Sequence, residues 1–529
     1  MFWADKIAKD IIETRVETGQ LNAGKKGRLL IRDEKTMSGR VHIGSMRGVA
    51  IHGLVAEVLA ERGIENEYRY ELNDFDPFDA IPGYLDASIF TEHLGKPLFQ
   101  VPSPKEGFLN YAEYFSAEFI AVHKTAGFTP EYYRATELYQ SGQMDECIRI
   151  ALTRADDVRK ILKQVSGSVK DETWLPVSVV CESCGKMMTT RAYDFDGETV
   201  GYSCDKNPDE IKSCGYEGRV APWKGKTKLF WKVDWAAKWV VQGVDVEGAG
   251  KDHCTKGGSR DVAKHIAKEI FNFEPPFDIP YEFFLVGGKK MSSSKGKGSY
   301  SKDFADIFPP ELLRLALIGK DINQQIEIDP AGDSVPRHYD WYDELAENVR
   351  QGVVDDFSRL YALTALPENQ ADQGAPFQMR FSLLSFIIQM PHLNLLDEAE
   401  NIKGGSLTEE EQTLLEERSR YASFWLQTYA PEQYRYTLQE KISKNLVLSD
   451  AQKESLTKLH DLMMEGEQTG EDIQNRLHEL KTEVPITPTE LFSALYQLFL
   501  ARTSGPKIGW FLSSLPRDFV VKLLKEAIS

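Results

Sequence analysis

Residues 29–72 constrain the fold more than any other stretch of the chain. Leu29-Leu30-Ile31 is a short apolar strand. A glycine-containing turn follows, Ser38-Gly39-Arg40-Val41-His42-Ile43-Gly44-Ser45, and after it Ile51, Leu54, Val55, Val58 and Leu59 recur at helical spacing. This pattern predicts a helix over 46–62, stopped by Gly63. Tyr68, Tyr70 and Leu72 then alternate as a second strand. The order strand, turn, helix, strand predicts a parallel sheet in a doubly wound, Rossmann-type α/β domain. In such a unit the turn lies at a helix N-terminus, where unpaired N–H groups and the helix dipole favour a phosphate. Gly39 permits the tight turn and Gly44 lets a ligand approach the backbone. His42 and Ser45 are the candidate donors to phosphoryl oxygens.

A second string lies about 250 residues further on: Lys290-Met291-Ser292-Ser293-Ser294-Lys295-Gly296. Two lysines and three hydroxyls on a glycine-flanked loop suit a polyphosphate whose charge grows as pyrophosphate leaves. The candidate ATP-binding set is His42, Gly44, Ser45, Asp252, Lys290, Ser292, Ser293 and Ser294, and the catalytic candidates are His42, Ser45, Lys290 and Lys295. Asp252 belongs to Gly248-Ala249-Gly250-Lys251-Asp252-His253, where it can accept a ribose hydroxyl or cap a helix, with His253 facing an amino acid.

Four of the six cysteines fall within 34 residues, as Cys181-x2-Cys184 and Cys204-x9-Cys214. A Cys-x2-Cys turn followed by glycine presents two thiolates to one ion, and the window holds no histidine. The expected group is a structural, all-cysteine Zn2+ site in a zinc-ribbon-like module. The net charge of −18 argues against nucleic acid as a partner of the whole surface. Residues 286–302 nevertheless carry five lysines and no acid. No apolar run reads as long enough to span a bilayer, and the N-terminus lacks a signal-peptide core, so the expectation is a cytoplasmic protein with no membrane partner.

The expected organisation is a Rossmann-type catalytic domain over 1–300, with an insertion at 73–175 and the cysteine module at 176–222. A connecting segment follows at 301–340, and an all-α domain at 341–529. Segments 229–233 and 283–286 read as strands. A small-molecule nucleotidylyltransferase shares the His-Ile-Gly turn but does not need the long helical C-terminal part. A non-catalytic RNA-binding protein does not need the serine–lysine loop.

With these residues the chain resembles class I lysyl-tRNA synthetases over essentially its full length. The resemblance rests on Trp3-Ala4-Asp5, His42-Ile43-Gly44, the 290–296 string, the cysteine module, Trp231-Lys232-Val233-Asp234-Trp235 and Gly250-Lys251-Asp252-His253. It implies ATP-dependent activation of L-lysine with Mg2+, transfer to the terminal ribose of tRNA(Lys), activation that requires bound tRNA, and a helical domain that reads the anticodon. It also implies that Thr36, Trp239, His253 and Tyr281 surround the amino acid. The lead-in Arg32-Asp33-Glu34-Lys35-Thr36-Met37 departs from the family, which usually has Gly where Glu34 stands and Pro where Met37 stands. Arg32 occupies the place where glutamyl enzymes, which the chain also resembles locally, carry an arginine that holds the substrate carboxylate. Glu34 or Asp33 could instead pair with a lysine ammonium. The sequence leaves these readings, and a glutamyl- or glutaminyl-type activity, open.

Overall fold

The structure is a computed structural model that describes residues 1–22, 28–209, 211–290, 300–366, 376–443 and 446–529, with the backbone alone at 289–290. The chain divides into two compact units, one of Met1–Ile328 with Asn348–Gln373 and one of Asp329–Glu347 with Gly374–Ser529.

The first unit begins with helix α1 (Trp3–Ile11), strand β1 (Leu29–Thr36), helix α2 (Met46–Glu61) and strand β2 (Asn66–Asn73). Helix α3 (Tyr111–Thr125) and strand β3 (Glu131–Arg134) follow. Five short strands come next: β4 (Val177–Val179), β5 (Thr190–Phe195), β6 (Val200–Cys204), β7 (Glu217–Val220) and β8 (Thr227–Leu229). Helix α4 (Trp231–Gln242), strand β9 (Val246–Gly250), helix α5 (Ser259–Glu269) and strand β10 (Phe277–Tyr281) complete the core. Beyond it lie β11 (Phe284–Val286), β12 (Lys289–Lys290) and β13 (Ile326–Glu327).

The central sheet is parallel, in the order β10-β9-β1-β2-β3. The chain winds outward from β1 through β2 to β3, then returns to place β9 on the other side of β1. The switch in direction therefore falls between β1 and β9, and the C-terminal strand ends beside it are where such folds bind ligands. Strand β1 is buried on both faces, with α2 on one and α4 on the other. Its sequence is nonetheless charged from Arg32 to Lys35, which makes this sheet unusual and locates its chemistry.

Two expectations need correction. Segment 229–233 is a strand only to Leu229; helix α4 begins at Trp231. Its opening residues alternate apolar and charged and so imitate a strand, but Val233, Trp235, Ala236, Ala237 and Trp239 are buried at helical spacing. The segment Ile43–Glu61 is also long and apolar enough, by length and composition, to cross a membrane, and it is 72% buried within the protein. It is a central helix of this unit, largely apolar because most of its surface is covered.

A three-stranded antiparallel sheet, β5-β6-β7, carries the cysteine module. The second unit is helical. The side chains of Thr408, Ser449, Thr469 and Thr487 each accept from the backbone three residues on, and Glu411, Gln452, Asp472 and Glu490 answer the cap, which satisfies otherwise unpaired helix donors. Trp425 and Phe381 pack at 5.7 Å in its core.

Candidate active site

The turn after β1 is built tightly. Gly39 has φ +152°, and a Cβ there would lie 2.6 Å from the Tyr84 hydroxyl. That hydroxyl accepts from the Arg40 amide at 2.7 Å, and Tyr111 donates to the Ser38 carbonyl at 3.0 Å. His42 precedes a 3-10 turn, Ile43–Ser45, that runs directly into α2. Ser45 stands at the N-cap of α2 and makes no capping bond to it. The 3-10 turn pairs the Ser45 amide with the His42 carbonyl at 3.0 Å and the Met46 amide with the Ile43 carbonyl, so the helix starts as a continuation of the turn beyond β1.

The second string is fastened at both ends. At its entry, β12 pairs antiparallel with β11. At its exit, Tyr300 forms a backbone bridge to His42 and the Ser301 amide donates to the Val41 carbonyl at 2.8 Å. Arg40 lies 4.0 Å over the Tyr300 ring and pairs with Glu118 at 3.1 Å and Asp303 at 3.3 Å. The loop therefore leaves against the His42 turn, although the two strings are far apart in sequence. Ser292, Ser293, Ser294 and Lys295 themselves lie outside the described residues, as does the Lys290 side chain.

Thr36 ends β1, Gly250 ends β9 and Tyr281 ends β10, with Gly250 and Tyr281 directly paired. Asp252 and His253 follow in the short helix Lys251–Cys254, whose N-cap is Gly250. Thr36 donates to Asp76 at 2.5 Å. Trp239 is fully buried, its indole N–H donating to Glu247. The tryptophans whose rings meet His253 are Trp231 and Trp235, at 6.4 and 5.8 Å. Trp235 came without a role from the sequence, because a Trp in an apolar helix reads as core.

The two faces of β1 differ. Toward α4, Arg32 has no exposed surface and donates to Glu71 at 2.7 Å, Glu247 at 2.8 Å, Glu34 at 2.5 Å and the Tyr133 hydroxyl at 2.8 Å. Lys238 meets Glu71 at 2.5 Å, Asp234 at 3.0 Å and Glu34 at 3.2 Å. Lys228 joins Asp76 at 2.5 Å and Asp234 at 3.1 Å. Burial disfavours the Glu34 carboxylate, but Lys238 and Arg32 outweigh it and hold its proton affinity well below the usual range. The same balance, against Lys228 and Lys238, lowers Asp234. Three cations here face five carboxylates. Adding Arg260, 2.6 Å from Asp278, and Lys264, which pairs with the same carboxylate, makes it five against six.

Toward α2 stands Asp33, 8% exposed. Its Oδ1 accepts from the Glu34 amide at 2.7 Å, and its Oδ2 lies 3.4 Å from His52 Nδ1. His52 Nε2 accepts from the Gly248 amide at 2.6 Å, and Nδ1 lies 2.7 Å from the Gly48 carbonyl. Burial opposes an imidazolium and Asp33 favours it, with a net upward direction. The Gly248 N–H nevertheless requires a lone pair at Nε2, so the geometry assigns the neutral ring protonated at Nδ1. His52 thereby ties α2 to β9 across the switch point. A Cβ on Gly48 would lie 2.8 Å from Asp33 Oδ2 and 2.7 Å from the Tyr281 hydroxyl. Only glycine lets both oxygens converge on the helix backbone.

The four cysteine sulfurs lie within 4.8 Å of one another, with Cys181–Cys214 at 3.7 Å and Cys184–Cys204 at 3.8 Å. Sulfurs about 2.3 Å from one tetrahedral ion are about 3.8 Å apart, so the set fits a single metal. The wide second spacing closes because the chain turns back after β6: the Gly215 amide donates to the Cys204 carbonyl at 2.9 Å.

A parallel sheet whose first strand runs through a glycine turn into a helix N-terminus beside the switch point is a doubly wound α/β fold of the class that binds nucleotides, and Tyr300, just after the lysine–serine string, bridges to that turn. Residues 1–366 match the family model of class I (K) tRNA synthetases, and the chain belongs to that family. It is 34% identical to Lysine--tRNA ligase 1 of Methanosarcina acetivorans, over 100% of this chain and 98% of that protein. It is 30% identical to a Lysine--tRNA ligase of Archaeoglobus fulgidus, over the whole of both. Among solved structures, a glutamate tRNA ligase from Elizabethkingia meningosepticum matches with a TM-score of 0.41 at 12% identity, covering 95% of this chain and 99% of that one.

Proposed function

We propose that this chain is a lysine–tRNA ligase, forming lysyl-adenylate from ATP and L-lysine and passing the lysyl group to tRNA(Lys). The observation that carries the choice of amino acid is the state of Arg32. It is sealed among Glu34, Glu71 and Glu247 and has no face left for a substrate carboxylate. A glutamyl-type use of this arginine would need it free. The surplus of carboxylates around the site favours a cationic side chain over an anionic one, and the full-length relatives named above agree.

In the first step a lysine carboxylate oxygen bonds to the α-phosphorus as the bond to the bridging oxygen of pyrophosphate breaks. In the second, the terminal ribose hydroxyl attacks the aminoacyl carbonyl, AMP leaves, and the hydroxyl proton passes to the leaving phosphate or solvent. Neither step needs a covalent enzyme group; both need alignment and charge stabilisation. His42, Ser45 and the N-terminal amides of α2, beside Gly44, serve the phosphates. Lys290, Lys295 and the hydroxyls of Ser292, Ser293 and Ser294 take the departing pyrophosphate, with Mg2+ entering on the nucleotide. Asp252 faces the ribose, and Thr36, His253 and Tyr281 line the amino-acid side with Trp239 behind them. The helical second unit is the part proposed to read the anticodon.

Pyrophosphate exchange measured across the twenty amino acids, with and without total tRNA, tests the reading. Exchange that depends on lysine and on tRNA supports it; exchange with glutamate in place of lysine overturns it. Cys181, Cys184, Cys204 and Cys214 are proposed to hold one Zn2+ as a cross-link within the module. Metal analysis of the purified protein should find about one zinc per chain, released when the thiols are titrated. A zinc-free protein that is equally stable would remove the ion from the account.

A further inference from the structure

A buried carboxylate is costly unless a cation or several hydrogen bonds compensate it. On the α4 side of β1, Glu34, Glu71, Glu247, Asp234 and Asp76 each meet a lysine or arginine within 3.2 Å. Asp33, one residue along and on the opposite face, has no such partner among the described residues. Its one ion-pair neighbour is His52, whose acceptor role toward Gly248 keeps the ring neutral. Lys35 feels the Asp33 charge but forms no ion pair with it.

Beside Asp33 the structure brings phenolic oxygens, while Lys35 acts on it only through its charge, as Arg47 and Arg260 act on Tyr281. Tyr281, at the end of β10, brings its hydroxyl to the same point over Gly48 as Asp33 Oδ2, and no hydrogen bond joins the two. The Tyr68 hydroxyl is buried without a hydrogen-bond partner. Its ring, stacked on His52 at 6.1 Å, lies on β2 beside β1. Burial and the Asp33 charge together keep the Tyr68 and Tyr281 phenols protonated. One carboxylate and two phenolic oxygens on this face of the sheet, with no lysine or arginine in ion-pair contact with the carboxylate among the described residues, match the three N–H donors of an alkylammonium. They do not match a divalent metal, which takes more oxygen ligands and more charge.

We propose that Asp33, with Tyr281 and Tyr68, receives the side-chain ammonium of the amino-acid substrate and makes the site selective for a cationic side chain. Of the candidates the sequence left open, Arg32 and Glu34 are consumed by the network on the other face, and Asp33 alone retains an unmet charge. Gly48 is part of the device, since any side chain there would push the two oxygens away from helix α2.

This rests on the reading of the chain as a lysine–tRNA ligase, and the test separates the two. The probes are L-lysine and 6-hydroxynorleucine, a neutral isostere, in tRNA-dependent pyrophosphate exchange. Asp33→Asn should lower kcat/KM for lysine by about 100-fold, the scale expected when one partner of a buried charge pair is removed. It should change kcat/KM for the neutral isostere by less than about 3-fold, so that the preference for lysine collapses. Tyr281→Phe, which keeps the ring and all its packing, should reduce the same preference by about 10-fold. No lysine-dependent exchange by the unaltered protein would defeat the functional reading itself. Normal lysine exchange with the preference intact in both variants would overturn the Asp33 assignment and leave the function standing. Equal loss on both substrates would also overturn it, since that is the signature of a purely structural residue.

Discussion

The two faces of β1 carry charge in opposite ways. Toward α4, Arg32, Glu34, Glu71, Glu247 and Lys238 form a closed set in which every ion has at least one partner at 2.8 Å or less. Toward α2, Asp33 sits among phenols and a neutral histidine with its charge unmet. A closed network resists change because losing one ion strands the others. An open one destabilises the empty protein slightly and gains when a cation arrives. On the proposed assignment, consecutive residues of a single strand divide cohesion from recognition, as the alternation of side chains along a strand allows.

The closed face should break most severely. Arg32→Met removes the guanidinium that Glu71 and Glu247 share, at 0% and 2% side-chain exposure, and leaves Lys238 to compensate Glu71 alone. A loss of about 3–5 kcal/mol is expected on the usual scale for a broken buried ion pair, read from urea unfolding of the first transition. The Asp33→Asn variant should by contrast be as stable as the unaltered chain or more so. An Arg32→Met protein within about 1 kcal/mol of the unaltered one would mean that Arg32 is not sealed, and would return it to the substrate.

The strand–turn–helix–strand unit and the His42 turn were legible from sequence because local patterning specifies them. The apolar repeat of α2 and the glycines of the turn follow directly from backbone geometry. The approach of Tyr300 to His42 was not legible, since it depends on where a distant strand pair delivers the chain. The charged lead-in was visible but not interpretable. A strand reading places Arg32 and Glu34 on one face and Asp33 on the other, but which face meets Lys238 and which meets Gly48 is decided by helix packing. Gly48 gave no signal, because a glycine inside an apolar helix reads as tolerated rather than required. Helix α4 was misread at its start because Trp231-Lys232-Val233-Asp234 also alternates.

The open face should respond to a single methyl group. In Gly48→Ala the new Cβ would meet Asp33 Oδ2 at 2.8 Å and the Tyr281 hydroxyl at 2.7 Å, so one or both must withdraw. Overpacking of this kind costs about 1–3 kcal/mol, less than the loss of Arg32. The sharper readout is kinetic: KM for lysine should rise by about 10-fold, as for a displaced charged contact, while KM for ATP stays close to its original value. Unchanged lysine kinetics would mean that these two oxygens do not act together on the substrate.

The smallest effect is expected at Glu34, and it tests which face meets the amino acid. Glu34→Gln keeps the shape and removes one charge from a cluster that already holds more carboxylates than cations. Arg32 retains Glu71 and Glu247, and Lys238 retains Glu71 and Asp234. Glu34 is also the most exposed member, at 28%, so solvent screens part of what it contributes. The change in stability should be about 1 kcal/mol or less, and the preference for lysine over its neutral isostere should stay within about 3-fold of the unaltered value. Stability is read by urea unfolding and preference by exchange kinetics on the same preparation. A collapse of that preference in Glu34→Gln, with Asp33→Asn unaffected, would place the ammonium on the α4 side. The two faces would then exchange roles, with Asp33 reduced to holding its own strand end and the network around Arg32 opened to the substrate.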